Sequence, residues 1–138
     1  MRVKCVVDTN ALINAALTKG AAFRVVEHLI KNNALIFSKE TIRELSFRIT
    51  QPKFDKYVSA EDPDAYVNNL ILSADLVIID NLIQGCRDRD DDKFLETVVK
   101  DDACFIISGD QDLLTMHRFE DIDIVTVQSL LFILFKNG

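Results

Sequence analysis

Val3-Lys4-Cys5-Val6-Val7-Asp8-Thr9-Asn10 is a short apolar run that stops on a carboxylate. A carboxylate at the end of a buried strand is costly to desolvate. Open α/β folds give it a use, because ligands bind at the carboxyl ends of their strands. The pattern returns near the far end of the chain, where Phe105-Ile106-Ile107 runs into Ser108-Gly109-Asp110-Gln111-Asp112. Two strands that deliver acids to one sheet edge point to a divalent-metal site.

The sequence between these runs alternates strand-like and helix-like segments. Residues 2–7, 34–37, 76–79, 103–107 and 122–126 read as strands. Residues 9–17, 21–31, 38–50, 62–73, 91–100, 110–116 and 128–135 read as helices. Lys19-Gly20 separates the first two helices, Gln51-Pro52 ends the third, and Asp62-Pro63 starts the fourth with a capping acid and a first-turn proline. Strands that alternate with helices predict an α/β fold, in three layers, with a mostly parallel five-stranded sheet. No composition break divides the 138 residues, so one domain spanning 1–138 is expected.

With 49% hydrophobic residues, 4 Gly and 2 Pro, the chain can bury a core and is neither disordered nor fibrous. Cys5, Cys86 and Cys104 form no C-x-x-C pair, which argues against a zinc site or a disulfide framework and for a cytoplasmic setting. The longest apolar run, Leu130–Phe135, is too short to span a bilayer. It is apolar around the whole helix, which predicts burial in the core or in a subunit contact.

The formal net charge of −6 conceals an asymmetry. Residues 1–60 carry 10 Lys and Arg against 5 Asp and Glu, whereas residues 61–138 carry 6 against 17. A basic surface can therefore lie beside an acidic centre.

Asp8 either caps the helix that follows or binds metal, and the polar Thr9 and Asn10 beside it favour metal. Asp110 has the same setting after a strand, with a helix cap as its alternative. Gly109 would permit a tight turn, and Ser108 would hydrogen-bond a carboxylate or phosphate. Asp112 is either a supporting acid or a partner of the helix dipole. Asp88, Asp90, Asp91 and Asp92 crowd one helix start, beyond what capping requires, and like charges so close repel unless a cation intervenes. Asp91 shares the face of Phe94, Leu95 and Val98, so it is the expected ligand and Asp88 its support. Asp90 and Asp92 read as a solvated turn. Glu44 lies four residues before Arg48, and an exposed ion pair would explain it. Carboxylates without a companion His or Cys select Mg²⁺ or Mn²⁺. His28 and His117 are isolated.

Taken together, these motifs resemble the PIN-domain ribonuclease family, most closely the prokaryotic branch whose members are toxin components of toxin–antitoxin pairs. Val6-Val7-Asp8-Thr9-Asn10 resembles the family's opening motif. Ser38-Lys39-Glu40-Thr41-Ile42-Arg43-Glu44-Leu45 resembles its first long helix, where an acid before Leu is the second ligand. Gln51-Pro52-Lys53-Phe54 is similar to the Arg-Pro-Lys-Phe stretch of this branch. Residues 86–96 resemble its third acidic segment, and Ile107 to Leu114 its fourth. Arg89 stands where the branch usually has Pro, which leaves the register among Asp90, Asp91 and Asp92 open.

The resemblance implies metal-dependent hydrolysis of single-stranded RNA to a 5′-phosphate and a 3′-hydroxyl. Asp8, Glu44, Asp91 and Asp110 would hold one or two ions with Asp112 nearby. Thr9, Asn10 and Ser108 would orient the acids or the scissile phosphate. Arg43, Arg48, Lys53 and Lys56 would grip the RNA backbone, or else serve as ordinary solvated charges. An antitoxin partner and a homodimer are implied as well. The competing expectation is an inactive PIN-like module for binding or assembly. A receiver or aspartyl-phosphatase reading ranks lower, since Asp8 lacks the D-x-D pattern.

Overall fold

The computed structural model describes residues 4–18, 20–51, 63–79, 93–94, 97, 105–109, 111–114, 118–119 and 122–135. In chain order the elements are β1 (Cys5–Val7), α1 (Thr9–Leu17), α2 (Ala21–Lys31), β2 (Leu35–Ser38), α3 (Lys39–Ile49) and α4 (Pro63–Leu72). They continue with β3 (Ala74–Val77), β4 (Phe105–Ile107), α5 (Gln111–Leu114), β5 (Arg118–Phe119), β6 (Ile122–Val125) and α6 (Val127–Phe135). Lys93, Phe94 and Thr97 are also helical.

The sheet order is β3-β2-β1-β4-β6-β5. The first five strands pair in parallel, as the alternation of elements requires, and β5 adds a two-residue antiparallel edge beside β6. Periodicity could not reveal β5, because two residues contain no period. Chain order runs outward from β1 through β2 to β3 on one side, and from β4 to β6 on the other. The topological switch point therefore lies between β1 and β4, the place where such sheets bind ligands.

Alternation along the strands sorts the core into two layers. Cys5, Val7, Leu35, Phe37 and Ile107 face one side and pack with Leu12, Val25, Leu29, Leu45, Leu70 and Leu130 from the helices. Val6, Ile36, Ile106 and Ile124 face the other and pack with Phe94 and Leu113. This is the three-layer arrangement that period-2 strands apolar on both faces demand. Cys5 is buried, as its place in an apolar run predicts.

Local chemistry sets the helix ends. Ser38 opens α3 with a reciprocal capping box. Its hydroxyl accepts from Thr41 N at 3.3 Å, and Thr41 Oγ1 accepts from Ser38 N at 2.9 Å. At the end of α2, Asn33 takes a positive φ of 52°. Asn33 N then donates to Ile30 O at 3.2 Å, and Ala34 N to Leu29 O at 2.9 Å. This Schellman closure turns the chain directly into β2, and Asn tolerates the left-handed position better than most residues do. Asn33→Ala is expected to cost about 1 kcal/mol, and Asn33→Gly to be neutral or slightly stabilising. Thermal unfolding of the two variants measures this.

One expectation changes. The third strand is Ala74–Val77 and not 76–79, since the hydrogen-bond register with β2 begins at Leu35–Ala74. It is an edge strand, and Leu76 and Ile78 are exposed although they belong to the most apolar run of that segment. The last helix buries only part of its circumference: Leu130 is fully buried, whereas Phe132 and Ile133 are exposed.

Candidate functional site

The site grows from the carboxyl ends of β1, β2 and β4. Asp8 follows β1 directly and is buried, with 4% of its surface exposed. Its backbone N–H donates to Ile107 O across the switch point at 2.9 Å, which fixes the residue in the sheet register. One carboxylate oxygen, Oδ1, accepts from Ala11 N at 2.9 Å and caps α1. The other, Oδ2, accepts from the hydroxyl of Ser108, which follows β4 and is fully buried. Capping thus engages one oxygen, and the Ser108 hydroxyl engages the other.

Thr9 and Asn10 begin α1 and reach toward α3. The buried Thr9 hydroxyl donates to Glu44 Oε2. Glu44 Oε1 is met by two cations, Arg48 Nη2 at 3.2 Å and Lys93 Nζ at 3.1 Å. Arg48 Nη1 also donates to Asn10 Oδ1 at 3.4 Å. Asp8, Thr9, Asn10, Glu44 and Ser108 are thus gathered at one edge of the sheet. Arg48 makes the intrahelical pair that its spacing from Glu44 predicts, and Arg43 is exposed on the same helix. Asp112 lies in α5, just beyond the end of β4. Asp88, Asp91, Asp110, Lys53 and Lys56 lie outside the described residues.

Sequence reasoning missed Lys93 and Thr97. Thr97 is fully buried, donates to Lys93 O at 2.7 Å, and lies 2.9 Å from the Ser38 hydroxyl. Its signal was available: Thr97 falls three residues after the buried Phe94, a polar position on the inward face. Lys93 was hidden in an acidic segment, where a cation reads as a solvated counter-charge. Gly109 also departs from expectation. It has no positive φ, and a Cβ there would meet nothing within 4 Å, so a tight turn does not account for the glycine.

Beside Ser108 opens a cleft of about 460 Å³, walled in part by Asn10, Asn14, Gly109, Thr126 and Gln128. These polar groups are neutral donors and acceptors next to the acidic edge. Among the described residues no group of three or more His, Cys, Asp or Glu side chains is placed to hold an ion. The donor chemistry nevertheless suits a hard cation. Asp8 and Glu44 supply carboxylates, hydroxyls support both, and no His or Cys is among the assembled residues.

Comparison with known proteins agrees with this architecture. The family description PIN domain matches residues 4–112. Protein MJ1680 of Methanocaldococcus jannaschii is 28% identical over 120 residues, covering 85% of this chain and 77% of that protein. The fold is similar to a chain in the crystal structure of VapBC2 from Rickettsia felis bound to a DNA fragment from their promoter. The TM-score is 0.58 at 13% identity, over 90% of this chain and 98% of that one. It is also similar to PAE2754 from Pyrobaculum aerophilum, with a TM-score of 0.55 at 16% identity over 96% and 89% of the two chains. Among the described residues no helix is long and apolar enough to cross a membrane. With the buried Asp8 at the switch point of a parallel sheet and a family match over residues 4–112, the chain belongs to the PIN-domain family, a family of nucleases.

Proposed function

We propose that this chain is a single-domain, metal-dependent endoribonuclease that cleaves single-stranded RNA, and that it is the toxin of a toxin–antitoxin pair in the cytoplasm. The observation that carries the reading is the buried Asp8 carboxylate at the switch point, held by Ser108 and the first turn of α1. Burying an acid is costly, and the carboxyl end of a strand at the switch point is where such sheets place the groups that meet a ligand.

Asp8, Glu44, Asp91 and Asp110 are the residues that would hold one or two Mg²⁺ or Mn²⁺ ions, with Asp88 and Asp112 in support. Phe94 is buried, and Asp91 stands three residues before it in the sequence, the spacing of one helix face, which supports the choice of Asp91. Bound there, the ion would polarise a phosphoryl oxygen and lower the pKa of an attacking water. The chain's own residues do the positioning. Ser108 fixes one oxygen of Asp8, Thr9 fixes one oxygen of Glu44, and Asn10 is oriented by Arg48. Arg43, Arg48, Lys53 and Lys56 would supply backbone attraction to RNA, with Arg48 shared between that task and Glu44. The similarity to a VapBC2 chain supports an antitoxin as partner, and exposed Phe132 and Ile133 on α6 support a homodimer.

The test is cleavage of end-labelled single-stranded RNA by the pure protein with Mn²⁺ or Mg²⁺. Cutting that stops with EDTA supports the reading. An inert protein that also binds no Mn²⁺ would favour the inactive binding module. Ser108→Ala removes the hydroxyl that holds Asp8 and is expected to weaken Mn²⁺ binding roughly 10–100-fold, as is usual for groups that orient a ligand. Titration calorimetry measures it.

A further inference from the structure

Glu44 is already neutralised from within the chain. Its Oε1 receives both Arg48 Nη2 and Lys93 Nζ, while Oε2 receives the Thr9 hydroxyl. The two cations differ in kind. Arg48 comes from the next turn of α3, with 42% of its side chain exposed, and solvent screens its charge. Lys93 comes from another segment and is 17% exposed. Its backbone carbonyl is tied to the buried Thr97 hydroxyl, which sits against Ser38 at the end of β2. Its ammonium also lies 5.3 Å from the centre of the ring of the buried Phe94. Lys93 is therefore placed by the fold, and the carboxylate oxygen it holds belongs to a residue proposed as a metal ligand.

We propose that Lys93 is a built-in competitor of the divalent ion, a tethered cation that holds Glu44 in place when no ion is bound and must release it for the ion to load. The inference rests on the metal-dependent reading of the site and adds a control on its occupancy. Without Lys93, Glu44 would be drawn toward Arg48 alone and would lose its tie to the segment that follows the acidic cluster. With it, the site is preorganised, at a cost in affinity for the ion. A single positive charge that stayed roughly 5 Å from a dication would repel it, even at the dielectric of water, by enough to weaken binding about tenfold.

The experiment is Mn²⁺ titration calorimetry on the full chain, comparing wild type with Lys93→Met and Lys93→Arg. Methionine keeps an unbranched side chain and removes the charge, while arginine keeps the charge. The expected result is about tenfold tighter Mn²⁺ binding by Lys93→Met and near wild-type binding by Lys93→Arg. A purely structural role does not predict this gain of affinity. Equal or weaker binding by a folded Lys93→Met overturns the proposal and leaves the metal reading intact. Loss of Mn²⁺ binding in all three folded proteins overturns the metal reading and the proposal with it. Circular dichroism confirms that each variant is folded.

Discussion

Asp8→Asn is expected to leave the fold intact and to remove metal binding and RNA cleavage together. The substitution isolates the charge. Asn caps helices as well as Asp does, so its side-chain oxygen can still accept from Ala11 N and hold the start of α1. Its amide can still face Ser108, whose hydroxyl both donates and accepts. The carboxylate at the switch point is what disappears. For a group that holds charge-stabilising chemistry in place, the loss in rate is on the order of 10²–10³-fold. Cleavage of labelled RNA and Mn²⁺ calorimetry measure the two losses, and thermal unfolding is expected to move by no more than a few degrees. A variant that cuts at the wild-type rate would remove Asp8 from the machinery and leave it a helix cap.

The second large effect is on stability. Ile106 is fully buried in β4, the strand flanked by β1 and β6 at the centre of the sheet, and packs with Val6, Ile36, Phe94 and Leu113. Ile106→Ala removes methyl groups that neighbours held on a rigid sheet cannot replace. A cost of about 2–5 kcal/mol is expected, close to half the stability of a typical domain. Denaturant titration measures it, and the midpoint should fall at an unchanged slope. The same strand delivers Ser108 to Asp8, so Ile106→Ala should also lower activity at temperatures where the wild type is still folded. Leu76→Ala, on the exposed edge strand, is expected to cost much less despite a similar loss of apolar atoms.

Much of this architecture is readable in the sequence because its signals are local. Cys5–Val7 and Phe105–Ile107 are continuous apolar runs, as strands covered on both faces require. Each ends on a polar cluster, which announces the sheet edge where the proposed site lies. Ser38 and Asp8 declare helix starts through capping chemistry that acts over three residues. Where the information is not local, the sequence is silent or misleading. Leu76 and Ile78 have the composition of a buried strand, yet they stand at an edge, and neighbourhood in the sheet is not encoded in the run itself. Leu130–Phe135 is uniformly apolar, and the fold buries one side of it and exposes Phe132 and Ile133.

The site follows the same rule. Asp8, Thr9, Asn10 and Ser108 are recognisable from their place after strands. Glu44 is indistinguishable from an ordinary ion-pairing residue of α3 until its contacts are known, because both descriptions hold: it pairs with Arg48 and accepts from Thr9. Lys93 could not be assigned from sequence, since its partner lies 49 positions earlier and only the packing of two helical segments brings them together. The buried Thr97 that anchors Lys93 is legible only as a polar break in an apolar face.

The measurement that bears most directly on the central claim is anomalous diffraction from crystals of the protein soaked in Mn²⁺. The account predicts a Mn²⁺ peak within bonding distance, about 2.0–2.3 Å, of an Asp8 carboxylate oxygen at the end of β1. Glu44, Asp91 and Asp110 should share this ion or a second one beside it. Density for Mn²⁺ elsewhere on the surface, or none at this edge of the sheet at saturating concentration, would contradict it.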